Sequence, residues 1–108
     1  MFVEICTYHC LPNRLPALLA RFENATLALF AKHGFKPLGF FVSEFGPNRP
    51  ELKYLLEWRS LDQRMAAWTA FRADPEWERA RLESEEDGQL VDVMSNEILV
   101  PTRFSPIR

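Results

Sequence analysis

Apolar and polar positions alternate along residues 52–59, with Leu52, Tyr54, Leu56 and Trp58 on one parity, and that period of two predicts a strand. The period then changes. Leu61, Met65, Trp68 and Phe71 recur at intervals of three and four, which predicts a helix with one apolar stripe and leaves Asp62, Arg64 and Arg72 toward water. Ser60 stands at the changeover as an N-cap, its hydroxyl accepting an amide proton of the first turn, and Gln63 completes a capping box. Asp74 and Pro75 repeat the start signal, because aspartate caps and proline suits the first helical position, so a further helical segment opens at Pro75.

The same two periods organise the rest of the chain. Residues 2–9 set Val3, Ile5 and Thr7 against Phe2, Glu4, Cys6 and Tyr8 and predict the first strand, which Pro12 ends. Asn13 is the expected cap of a helix with Pro16 in its first turn and a face running through Leu15, Leu18, Leu19, Phe22, Leu29, Phe30 and His33. Gly34 closes it in the left-handed conformation favoured just past a helix end. Residues 36–45 are apolar on both parities, Leu38, Phe40 and Val42 on one and Phe41 and Phe45 on the other, and predict a second strand buried on both faces. The turn Gly46-Pro47-Asn48-Arg49-Pro50 makes it a hairpin with the strand at residue 52. Residues 83–87 read as a solvated acidic helix end, residues 90–100 as the last strand, and the proline-bounded residues 101–106 as an extended arm.

The order βαββαβ predicts a single α+β domain over residues 1–108 with a ferredoxin-like fold. Two helices cover one face of a four-stranded antiparallel sheet, and the right-handed crossover rule selects the strand order 4-1-3-2. The uncovered face keeps large apolar groups, so a homodimer is expected in which two sheets pack face to face into an α/β barrel.

A formal charge of -2, with scattered basic residues, argues against nucleic acid as a partner. No apolar run nears the roughly 20 residues of a membrane span. Glu4 interrupts the N-terminal stretch where a signal sequence is apolar, so the expected location is cytoplasmic. Cys6 and Cys10 flank His9, but on a strand their Cα atoms lie roughly 13 Å apart, too far for a disulfide or a shared metal. Two reduced thiols and no metal site are expected. The chain has no phosphate-binding glycine loop, serine elbow, HExxH helix or paired CxxC, so no nucleotide cofactor or metal chemistry is expected.

Several stretches, taken together and in order, resemble the NIPSNAP family of dimeric α/β-barrel proteins. They are Thr7-Tyr8, Lys32-His33-Gly34-Phe35, Gly39-Phe40 with Glu44-Phe45-Gly46-Pro47, and Leu55-Leu56-Glu57-Trp58-Arg59-Ser60-Leu61 with Arg64. Asp74-Pro75-Glu76-Trp77 and Pro101-Thr102-Arg103-Phe104-Ser105-Pro106 complete the set. Residues 10–13 depart from the short polar or glycine-containing turn more usual in the family. The resemblance supplies no catalytic motif. It implies a wider superfamily that includes cofactor-free monooxygenases of aromatic polyketides, lactone isomerases and haem-binding enzymes, which use a cavity between sheet and helices, and fold alone does not transfer their activities.

A pocket in such a fold takes its lining from the helix-facing side of the sheet and from the helices, which nominates Tyr8, His33, Trp58 and Trp68. The plain alternative is that the aromatics are core and that His33 terminates a helix. Glu44, Glu57 and Glu97 lie in strands, and one that faces inward would be a candidate acid or base. No catalytic residue is assigned. Two functions from different classes follow: a protein that binds, and by fold analogy transforms without a cofactor, a small apolar or aromatic molecule, or a non-catalytic scaffold whose interior is filled by its own side chains. A hollow of about 300 Å³ with convergent polar groups separates the first from the second.

Overall fold

The computed structural model describes residues 1–46 and 49–108. Strand β1 (Phe2–Cys10) leads to helices α1 (Leu15–Arg21) and α2 (Leu27–Lys32), joined without a break by a π-helical segment, Phe22–Thr26. Strands β2 (Lys36–Val42) and β3 (Glu51–Trp58), helices α3 (Leu61–Ala73) and α4 (Pro75–Ser84), and strand β4 (Val91–Leu99) complete the chain. The sheet is antiparallel in the order β2-β3-β1-β4, which is the predicted ferredoxin-like topology. Among the described residues no helix is long and apolar enough to cross a membrane.

The helix starts and stops follow local chemistry. The Ser60 hydroxyl accepts from the Gln63 amide at 3.0 Å, and the Gln63 side chain reaches back to the Arg59 amide, one residue before the usual capping-box donor. Asp74 caps α4 by accepting from the Glu76 amide at 2.9 Å. Gly34 sits at φ 77°, and the amides of Gly34 and Phe35 return to the carbonyls of Ala31 and Phe30. These bonds form a Schellman motif, and its usual apolar contact is here the stack of Phe30 on Phe35 at 4.4 Å.

The start of α1 differs from expectation. Asn13 adopts φ 66°, and Arg14 is the N-cap with no side-chain cap bond. Arg14 instead donates to the carbonyls of Gly88 and Gln89, fastening the helix entry to the approach to β4. The expected uniform helix carries the π segment, in which the Leu27 amide bonds Phe22 and the Thr26 hydroxyl donates to the Arg21 carbonyl. Leu19 lies outside the buried face.

Three further expectations are corrected. Strand β2 ends at Val42 and is half-exposed, because it is a sheet edge, and Phe45 lies beyond it in solvent. Of the predicted turn over residues 46–50, residues 47 and 48 lie outside the described residues. The stripe on α3 is rotated: Trp68 and Phe71 are buried, whereas Leu61 and Met65 are exposed. Residues 101–106 do not leave as a fully extended arm, since the Ser105 amide closes a turn onto the Thr102 carbonyl.

The core lies between sheet and helices. Leu52, Tyr54, Leu56 and Trp58 of β3 meet Leu18, Phe22, Phe30, Phe35 and Phe71 there. Its aromatic rings touch mostly edge to face, the arrangement their quadrupoles favour.

Candidate functional site

Paired residues of neighbouring strands share a face, so register decides what the helices cover. Glu4 stands between Leu56 and Ile98, Cys6 between Tyr54 and Asn96, and Tyr8 between Leu52 and Met94. A carboxylate therefore lies in the buried row, only 1% exposed. An ion there is tolerated only when well paired and hydrogen-bonded.

Four donors meet it. Oε1 accepts from the indole N–H of Trp58 at 2.9 Å and of Trp68 at 3.1 Å. Oε2 accepts from Arg64 Nη2 at 2.7 Å and from Asn96 Nδ2 at 2.9 Å. One side chain on β1 thus joins β3, β4 and α3. Burial pushes the Glu4 carboxyl up, but the bonds from Arg64, Asn96, Trp68 and Trp58 outweigh it and hold the group below its ordinary value. An ionised carboxylate has about four acceptor positions, and here all are taken. Glu4 is an anchor, without a free lone pair for proton transfer. Arg64 is correspondingly drawn in from the solvent face that the helical spacing assigned to it.

Above this anchor opens a groove of about 250 Å³, lined by Tyr8, Arg64, Trp68, Arg72, Met94 and Asn96 among others. It is open because β4 is a sheet edge that the helices leave uncovered, with Met94 65% exposed. A second hollow of about 360 Å³ shares Tyr8 and Met94 and runs on toward Arg21, Trp77 and Gln89. Tyr8 stands at the junction, its hydroxyl 2.8 Å from that of Tyr54. Burial pushes the Tyr8 phenol up to about 12 and that of Tyr54 well above its usual value, so at neutral pH both are uncharged hydroxyls. Burial, with the Glu4 charge adding to it, raises the Cys6 thiol to about 12 and keeps it from being a nucleophile. Arg72 lies with its guanidinium 5.7 Å from the centroid of the Trp68 ring. The groove offers aromatic surface, neutral hydrogen-bonding groups and positive charge. That is the equipment of a binding site.

The predicted pocket residues divide. Tyr8 and Trp68 line the groove, while Trp58 is fully buried behind it and acts through Glu4. His33 lies elsewhere: its Nε2 is 2.7 Å from Oδ2 of Asp74, which also pairs with Lys32 at 2.8 Å. The end of α2 is thereby tied to the cap of α4. Hydrogen bonds from Lys32, His33 and the Glu76 amide hold the Asp74 carboxyl well below the usual carboxylate range. None of the three carboxylates considered from the sequence faces inward. Glu57 pairs with Lys36, Glu97 stands opposite Ile5 on the uncovered face, and Glu44 is exposed beyond β2. The inward one is Glu4, whose shared parity with Phe2, Cys6 and Tyr8 was the available signal. Cys6 and Cys10 are buried and unpaired, and among the described residues no group of three or more His, Cys, Asp and Glu could hold a metal.

The NIPSNAP family model matches residues 3–106. A NIPSNAP family protein of unknown function from Agrobacterium tumefaciens is 34% identical, with 100% of this chain and 94% of that chain covered at a TM-score of 0.87. An uncharacterised NIPSNAP-like domain protein from Burkholderia xenovorans is 27% identical, covering 97% of this chain and 88% of its own at a TM-score of 0.84. A putative antibiotic biosynthesis monooxygenase from Bacillus cereus shares the fold, at 15% identity, 96% coverage of each chain and a TM-score of 0.57. No curated protein matches the chain.

Proposed function

The chain belongs to the NIPSNAP family, and from that premise we propose that it binds a small, planar, largely apolar molecule in the groove between β1, β4 and α3. The observation that carries this reading is the Glu4 anchor. A fully satisfied buried ion fixes Trp68, Arg64 and Asn96 in place around an open hollow, and such preorganised walls are what a binding site needs. At about 250 Å³ the groove is just below the usual range for drug-sized ligands, which favours a small one, and the adjoining hollow leaves room for a longer tail. Catalysis is not part of the reading: Glu4 has no free lone pair, and burial disfavours ionisation of Cys6 and Tyr8.

The reading is tested by thermal-shift screening of small aromatic and fatty compounds with tryptophan fluorescence as a second readout. A ligand at about 100 times its dissociation constant adds about 2.7 kcal/mol of stability. Quenching that disappears in Trp68→Phe, together with a shift in melting temperature, is the expected result. No shift across the screen leaves the scaffold reading.

A second copy of the chain is proposed as the partner of the uncovered sheet face. Phe41, Val93 and Leu99 are exposed on it, and several of its charges pair within the chain, His9 with Glu51 and Lys36 with Glu57. The dimeric α/β barrel is the arrangement this face fits. A cytoplasmic location accords with two unpaired cysteines.

A further inference from the structure

We infer that the ligand of the groove is a singly charged carboxylate on a planar apolar body, with Arg72 receiving the carboxylate and Tyr8 and Met94 the body. This rests on the binding reading above and adds the ligand's charge and orientation. Glu4, Arg64 and Arg72 are the charged residues that line the hollow. Glu4 and Arg64 cancel one another at 2.7 Å. Among the described ion pairs none gives Arg72 a carboxylate, so the groove carries one uncompensated positive charge. That guanidinium is braced against the Trp68 ring, beside the same hollow.

Arg64 stands beside Arg72 on the same wall. Arg64 Nε is buried and has no hydrogen-bond partner. The pairing of Arg64 Nη2 with Glu4 fixes that guanidinium at the groove wall even so, and it lines the same hollow as Arg72. Arg64, Trp68 and Arg72 are spaced by four along α3 and so share one helix face, with the Arg72 guanidinium over the indole. A cationic ligand meets Arg72 repulsion and finds Glu4 already saturated. A phosphate dianion asks for more charge and more donors than one free guanidinium supplies, whereas a carboxylate, with one charge and two oxygens, is matched. The exposed thioether of Met94 and the uncharged edge of Tyr8 then meet an apolar body.

Phenylacetate and its neutral isostere phenylacetamide test this, titrated into nitrogen-15-labelled full-length protein by NMR. The indole N–H of Trp68 and the side-chain amide of Asn96 report on the groove. Expected is saturable movement of both signals, with phenylacetate binding at least tenfold more tightly than the amide. In Arg72→Gln that preference should vanish while amide binding is retained, and Arg72→Lys should restore part of it. Equal affinity for acid and amide, or a preference that survives in Arg72→Gln, overturns the carboxylate inference and leaves the binding reading standing. Absence of movement with either compound overturns both. Arg72 is exposed and outside the Glu4 network, so the backbone spectrum of Arg72→Gln should match the parent.

Discussion

Four donors around one carboxylate act together, and removing the charge leaves all of them facing a poorer acceptor. In Glu4→Gln the Arg64 guanidinium loses its counter-ion, and one edge of the new amide presents N–H groups to donors at what had been Oε1 or Oε2. Breaking a buried pair from one side typically costs about 3–5 kcal/mol, and urea denaturation of the variant should show a loss in that range. The pH dependence has a definite sign. Because the folded-state pKa of Glu4 is depressed, its contribution is fully present above the unfolded value of about 4.3 and is lost as pH falls through the lower folded value. Glu4→Gln should therefore show a shallower loss of stability over that acid range, and identical slopes would mean that Glu4 is not the titrating group. The alternation along β1 grouped Glu4 with Phe2, Cys6 and Tyr8 but did not say which row the helices cover. The sequence did not disclose its partners, since Arg64 and Asn96 are 60 and 92 residues away and are brought near only by strand order and by the rotation of α3.

At the level of elements, what was legible was local. Ser60, Asp74 and Gly34 each signal a helix end through bonds within a few residues, and all three ends lie where those residues put them. What was illegible depends on neighbours in space. The spacing of Leu61 and Met65 fits an amphipathic helix, yet their burial needs an opposing surface, and the sheet instead meets α3 through Trp68 and Phe71. The apolar residues on both parities of β2 likewise promised two buried faces to a strand that proves to be an edge. The capping signals make a quantitative expectation. Ser60→Ala should lower stability by about 1 kcal/mol and Gln63→Ala by less, read as shifts of the denaturation midpoint. An unchanged midpoint for Ser60→Ala would show that the hydroxyl bond does not hold the start of α3.

For the whole molecule, the decisive surface is the sheet face that no helix covers. Phe41 is 55% exposed there, and its ring lies so close over Gly39 that a Cβ at residue 39 would meet it at 2.7 Å. Glycine at that position lets the ring lie along the sheet, beside Leu55 across the strand pair. The neighbouring charges are already engaged, Lys36 with Glu57 at 3.0 Å and Lys53 with Glu51 at 3.6 Å. A partner that covers this face thus gains apolar burial around charges that are largely paired already, which suits a self-complementary contact between two copies. Light scattering at micromolar concentration should give a mass near twice the 12.6 kDa of one chain. Phe41→Lys should shift the equilibrium toward one chain, because burying an unpaired ammonium costs on the order of several kcal/mol, while leaving the helix-side core intact. A parent protein of single-chain mass would sink the barrel. A variant that stays dimeric would move the contact to another surface, with the exposed edge of β4 the next to examine.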